Sequence, residues 1–348
     1  MNRPHRRSVS LTELTTGALI VVGVLAVFLV YRPAPPPPLP VPNGYDDFLR
    51  AAKSLTGANY NIMWIDQDQL HALVATNSEA LRLLRLGLSQ RSSVPTEAAM
   101  ANFPTHWRDL FGLKSLAMLL WGEGRIAEAE NRPVDAARSY LDAICLGSKM
   151  SCGGFMMDRS EALACEGLVG TPLAKLIPKL PYDQMRPMAA KLEQIDGDTI
   201  SWQEVVRNEN RLVRLRMRKN LNPIKLAISW WRSLIPQRNF RKREEEKHDS
   251  AAARLRLLMA ELALRCYRID HGRAPESMQQ LIPNYLQRVP LDPFNGHPLV
   301  YRPNGTNWVL YSVGPGQADP TALEIDYPVQ TGGVVSDSLW SKNSVRLP

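Results

Sequence analysis

The sequence lacks the patterns by which most catalytic and metal centres can be read directly. It holds no G-x-S-x-G nucleophile elbow, no H-E-x-x-H helix, no G-x-x-x-x-G-K phosphate loop and no dinucleotide-binding loop. Its four cysteines, Cys145, Cys152, Cys165 and Cys266, form no C-x-x-C pair, and no histidine stands at zinc-ligand spacing from them. Two cross-links, Cys145 to Cys165 or Cys152 to Cys165, and a set of buried free thiols are equally compatible with these spacings. The histidines His5, His71, His106, His248, His271 and His297 are scattered, and His271 has a local role at a helix end. Adjacent carboxylates such as Asp46-Asp47 read as helix-start residues rather than as an acid/base pair. The expectation is a protein that is not an enzyme and carries no cofactor.

Charge is also missing from one stretch. Leu14 to Tyr31, LTTGALIVVGVLAVFLVY, contains no charged residue. As a helix it spans roughly 27 Å, close to the ~30 Å of a bilayer's hydrocarbon core. Arg3, Arg6 and Arg7 precede it, while only Arg32 closely follows, which places the N-terminus in the cytoplasm. Three readings stay open: an uncleaved transmembrane anchor, which the chain favours, a cleaved secretory signal, and pilin-type processing at Ser8-Val9. Proline flanks Ala34, the only small residue after Tyr31, which disfavours signal cleavage.

The organisation expected from these patterns is a basic leader over 1–13, a transmembrane helix over 14–31, a proline-rich spacer over 32–43, a helical domain over 44–249, a small α+β unit over 250–320 and an irregular tail over 321–348. The spacer PAPPPPLPVP favours an extended polyproline rod. Asn43-Gly44 ends it, and a first helix opens with Asp46 and Asp47 in its first turn. Helical periodicity then dominates, as at Leu70, Leu73 and Val74 and at Leu81, Leu84 and Leu86. Leu116 to Gly147 reads as two helices broken at Asn131-Arg132-Pro133. The spacing of Gly124, Ala136, Tyr140 and Ala143 resembles one tetratricopeptide repeat, in which small residues let paired helices approach and the aromatic fills the gap. Helices resume near Asp158 to Leu168 after a break at Gly153-Gly154, and turns are expected at Pro172, Pro178 and Pro181.

The net charge of +8 comes mainly from the leader and from Ser201 to His248. In that stretch many arginines and lysines alternate with Ile224, Leu226, Ile228, Trp230, Trp231, Leu234 and Ile235. It reads either as a helix whose apolar face packs into the bundle, with Glu244 to Glu246 partly neutralising it, or as a helix lying on an anionic membrane. A location outside the cytoplasm argues against nucleic acid as a partner.

The last third of the chain changes character. Arg254 to Asp270 carries an apolar stripe of Leu255, Leu258, Met259, Leu262, Cys266 and Ile269. His271-Gly272 stops that helix, Pro275 suits the first turn of a short helix ending before Pro283, and Asp292 to Gly296 is a turn. Leu299 to Arg302 and Trp308 to Val313 flank Asn304-Gly305 as a β-hairpin. Three ordered elements here resemble the head of the major pseudopilin of type II secretion. They are Cys266 to Pro275, then Tyr285 to Phe294 with Pro298 to Tyr301, then Leu310-Tyr311-Ser312-Val313-Gly314. The run Val9 to Leu14 after Arg6-Arg7-Ser8 resembles a pilin start, with Ser8 where the family has glycine and Val9 where it has an aromatic. More than two hundred residues separate the apolar N-terminus from the head-like unit, where a pseudopilin has one continuous helix. The resemblance implies a calcium loop after the last strand, with Asp319, Glu324 and Asp326 as candidate ligands.

The combined expectation is a mainly α protein with one N-terminal transmembrane helix, an irregular helical bundle and a small α+β C-terminal unit. It would be held in the cytoplasmic membrane through Leu14 to Tyr31, with its soluble region periplasmic or extracellular, and would act as an interaction or scaffold module for envelope proteins. A specialised pseudopilin-like component of a secretion or pilus-type machine is the alternative, and an envelope hydrolase is a third class.

Overall fold

A computed structural model describes residues 36–57, 60–219 and 223–315, with side chains throughout except at 60–61 and 213–238. The protein is mainly helical with one small antiparallel sheet. Among the described residues ten α-helices follow in order: α1 Gly44–Lys53, α2 Gln67–Thr76, α3 Ser78–Leu88, α4 Thr96–Ala101, α5 Phe103–Ala129, α6 Pro133–Ser151, α7 Met156–Leu176, α8 Tyr182–Asp198, α9 Trp202–Lys219 and α10 Pro223–His271. Strands β1 Val300–Asn304 and β2 Asn307–Tyr311 close the described chain. Residues 39–206 and those from 243 onward belong to one compact unit, and 207–242 belong to another. Among the described residues no helix is long and apolar enough to cross a membrane. The Leu14 to Tyr31 segment lies outside the described residues.

Local chemistry starts the helices. Asn43 caps α1 by accepting from the Tyr45 amide, and Asp66 caps α2 by accepting from the Gln69 amide at 2.8 Å. Asn77, between α2 and α3, is almost fully buried. Its amide group donates to the Thr56 and Leu73 carbonyls and accepts from the Thr56 amide, which ties the α1–α2 connection down. Asp158 caps α7 by accepting from the Phe155 amide at 2.7 Å. α1 packs on α3 and α5, and α6 lies between α5 and α7.

The second half of α10 departs from the expected amphipathic helix. Leu255, Leu258, Met259, Leu262 and Cys266 are buried, but so are Leu257, Ala260, Ala263, Leu264 and Tyr267, while Ile269 is half exposed. Buried residues thus fall all round the helix, which shares one apolar core with α5 to α8. The expected division between residues 249 and 250 falls inside this continuous helix. Leu86, read as part of an apolar face, is exposed. Pro172 makes no turn: α7 runs through it to Leu176, with Pro178 in a 3-10 turn and Pro181 directly before α8. Glu244 does not neutralise the basic stretch in solvent. It is buried, accepts from the Ser160 hydroxyl and pairs with Lys247 at 2.7 Å.

The C-terminal unit is held by its own motif residues. α10 ends at His271, and Gly272 takes φ +68°, a left-handed conformation that suits glycine. The helix expected after Pro275 is only a 3-10 turn, Met278–Leu281. The hairpin forms in the register Val300 to Tyr311 and Asn304 to Asn307, with Gly305 at φ +62° in its loop. Asp292, almost fully buried, accepts from the Phe294 amide at 3.0 Å and from the Val313 amide at 2.7 Å, so one carboxylate joins the turn to the end of β2. The Tyr301 hydroxyl donates to the Pro275 carbonyl, and Tyr285 donates to Asp270 at 2.6 Å. On α8, Glu193 accepts from the Gln287 and Arg288 amides and Asp196 pairs with Arg256 and Arg288, which fixes the intervening loop.

Candidate functional site

The α5–α6 pair sets the frame. The chain turns between the two helices with Asn131 at φ 55° and Pro133 as the first residue of α6, where a missing N–H costs nothing. A Cβ on Gly124 would overlap Cε1 of Tyr140, so the fully buried Tyr140 ring rests directly on the α5 backbone. Its hydroxyl donates to Glu128, and burial together with that carboxylate holds the phenol well above its ordinary range. The expected glycine–tyrosine contact is therefore present.

α2, α3, α5 and α6 line a cleft of about 580 Å³. Val74, Ala75, Ile126 and Ala127 supply apolar surface, and the remainder is charged or polar. Arg85 lies between two carboxylates: its Nε donates to Asp142 at 3.0 Å and its Nη2 to Glu123. The Ser139 hydroxyl donates to the same Glu123 at 2.6 Å. Burial by itself lowers the Arg85 pKa, but the two carboxylates outweigh it and raise it. Burial raises the Asp142 carboxyl, with Arg85 opposing and Glu123 adding to the shift. Arg132 pairs with Glu130 and, at 2.6 Å, with Asp135, and His71 lies 3.5 Å from Glu130. Arg138 reaches Asp135 at 3.9 Å and donates to the Gln184 side chain at 3.2 Å. A serine that donates to a carboxylate already neutralised by arginine is not an activated nucleophile. The cleft can present charge of either sign beside apolar groups.

A second polar cluster is sealed inside the body. His106 Nε2 lies 2.8 Å from Asp158, and the two residues are 4% and 0% exposed. Asp158 is occupied as the α7 cap, and the His106 ring meets Phe155 edge-on at 6.5 Å. Tyr45 lies close by, its phenol raised by burial and by Asp158, Asp109 and Asp46. Arg159, the largest fully buried side chain, donates from Nε to His248 Nδ1 at 3.0 Å and from Nη1 to Glu166 at 2.6 Å. That bond fixes the lone pair on Nδ1, and burial with the neighbouring Arg159 and Arg256 holds His248 down at about 3. The His106–Asp158 pair is buried, and its hydrogen bond joins α5 to α7.

No family model, curated protein or solved structure matches the chain. The cysteines are all free. Burial pushes Cys165 up to about 12 and Cys266 up to about 11, so they remain thiols at neutral pH. Asp47, at the first helix, is buried and bonded to Arg50. His271 stacks on Tyr267 at 4.1 Å at the end of α10. Asp319, Glu324 and Asp326 lie outside the described residues, and among the described residues no three metal-ligating side chains converge.

The cleft was not legible as a site in the sequence, because His71, Arg85, Glu123 and Asp142 come from four helices. One signal was readable. Asp135, Arg138, Ser139 and Asp142 recur at helical spacing on α6, beside the packing residues Ala136, Tyr140 and Ala143.

Proposed function

We propose that this chain is a membrane-anchored envelope protein that acts by binding, with Leu14 to Tyr31 in the cytoplasmic membrane and the soluble body outside the cytoplasm. The anchor rests on the sequence alone. In this reading the cleft between α2, α3, α5 and α6 receives a polypeptide segment of an envelope partner. The observation that carries it is the combination of apolar surface with exposed ion pairs at the mouth. Exposed pairs contribute about 1 kcal/mol or less each, so Arg132, Arg138 and Asp135 can exchange internal partners for those of an incoming chain at small cost. Removing partly exposed apolar groups such as Val74 and Ala75 from water supplies the favourable term.

The test is co-purification of the full-length protein from its native membrane, comparing wild type with the double change Arg132→Glu and Arg138→Glu. The reading expects a partner to be recovered with wild type and lost with the variant at unchanged stability. Equal recovery would rule out the cleft. A reporter fused after Pro348 should be active outside the cytoplasm, and cytoplasmic activity would overturn the orientation.

A second reading, a specialised pseudopilin-like component of a type II secretion machine, draws on the C-terminal unit. There the elements that resemble the pseudopilin head bond to one another through Tyr301 and Asp292. It predicts co-purification with secretion ATPase or platform proteins, and normal secretion after deletion counts against it.

A further inference from the structure

The compact body leaves out the most basic part of the chain. From Arg207 to Arg243 twelve lysines and arginines stand against one acidic residue, Glu209. That excess is larger than the net charge of +8 for the whole protein, so the rest of the chain is net acidic. Residues 207–242 fall outside the unit formed by 39–206 and 243 onward. Two readings of this stretch stand from its sequence, an apolar face packed on protein and an apolar face laid on a membrane.

The backbone and the sequence pattern indicate which. α10 begins at Pro223, and Ile224, Ala227, Ile228, Trp231, Leu234 and Ile235 recur at spacings of three and four along it. Lys225, Ser229, Arg232 and Ser233 hold the opposite positions of the same turns. Pro223 to Pro236 is about 21 Å of helix, too short to cross the ~30 Å hydrocarbon core. A helix of this length with a broad apolar arc, paired tryptophans and cationic residues suits the plane of the headgroup boundary. Nucleic acid would use the charge but would leave the apolar arc exposed to water.

We infer that residues 223–242 form an interfacial helix that lies on an anionic bilayer surface and gives the protein a membrane contact separate from Leu14 to Tyr31. The acidic phospholipid headgroup is the ligand class, matched in charge by the lysines and arginines of residues 223–242. The inference depends neither on the cleft nor on the anchor.

The experiment places the full chain in lipid nanodiscs of phosphatidylcholine, with or without one-third phosphatidylglycerol, and reads quenching of tryptophan emission by brominated acyl chains. Wild type is expected to be quenched in the anionic discs and roughly two-fold or more less in the zwitterionic ones. The double change Trp230→Ala and Trp231→Ala should remove most of the lipid-dependent quenching. The changes Arg238→Glu and Lys242→Glu, with both tryptophans kept, should reduce it to the zwitterionic level. Quenching equal in wild type and in the tryptophan variant would overturn the inference. So would tryptophans reached by aqueous acrylamide but not by brominated lipid, or by neither, which would indicate solvent, a second copy or another protein as the cover. Circular dichroism of each variant separates loss of contact from loss of helix.

Discussion

The cleft around Arg85 and the buried cluster around Arg159 both hold an arginine, the first between two carboxylates and the second between one carboxylate and an imidazole, and they differ in their access to water. Arg159 is 1% exposed and makes its bonds to Glu166 and His248 in the interior. The Arg85 side chain is 43% exposed, and its carboxylates open onto the cleft. A buried charge must be fully partnered, since nothing else replaces water around it. An exposed pair contributes little and can be rearranged by a ligand. The buried cluster is accordingly part of the architecture, and the cleft is where the proposed binding would take place.

The sharpest way to break this contrast is Arg159→Met, which leaves Glu166 without its buried counter-charge. The expected loss is about 3–5 kcal/mol, read from the urea midpoint at unchanged slope. Gly124→Val comes next. The new side chain must displace the Tyr140 ring from the α5 backbone, at a cost of about 1–3 kcal/mol.

A smaller effect follows from two neighbours on α10 with opposite pH behaviour. His248 is held at about 3 in the folded protein, below its ordinary value of 6.5. The unfolded chain therefore takes up the proton first, and stability falls as pH drops from 6.5 toward 3, by about 1.4 kcal/mol per unit at most. Burial, with Glu245 adding, raises Asp249 to about 6 from 3.8, so its contribution is present below 3.8 and is lost as pH rises through 6. Between pH 4 and 6 the two slopes oppose. His248→Gln keeps an acceptor for Arg159 but cannot take a proton, and should leave stability rising as pH falls across that window. Asp249→Asn should steepen the loss, and thermal melts at half-unit intervals would separate the two. The smallest effect is expected at the cleft, where Arg85→Ala should cost about 1 kcal/mol or less.

What the sequence disclosed follows the same divide between local and distant partners. Gly124 and Tyr140, on neighbouring helices of one hairpin, were legible because a small residue and an aromatic at that spacing have one good packing solution. The stop at Gly272, the turn at Asp292 and the hairpin at Gly305 were legible because each depends on a few adjacent residues. Arg159 and His248 are 89 residues apart, and no local pattern marks either as the other's partner. The stripe on α10 was read too narrowly because hydropathy does not distinguish a helix lying on a core from one enclosed by it. Glu261 shows the difficulty: it is buried, yet it is satisfied by Arg265 and by the Trp308 indole N–H. Pro172 read as a turn, but a helix inside a packed core can absorb one missing hydrogen bond.

The most direct test of the contrast is a photo-cross-linking residue at Ala75, inside the cleft, compared with one at Arg302, exposed on β1. In protein taken from its native membrane, a defined adduct is expected at position 75, absent at 302, and abolished by Arg138→Glu without a shift in the urea midpoint. Equal labelling at both positions, no adduct at 75, or an adduct that disappears only in variants that unfold would contradict the account.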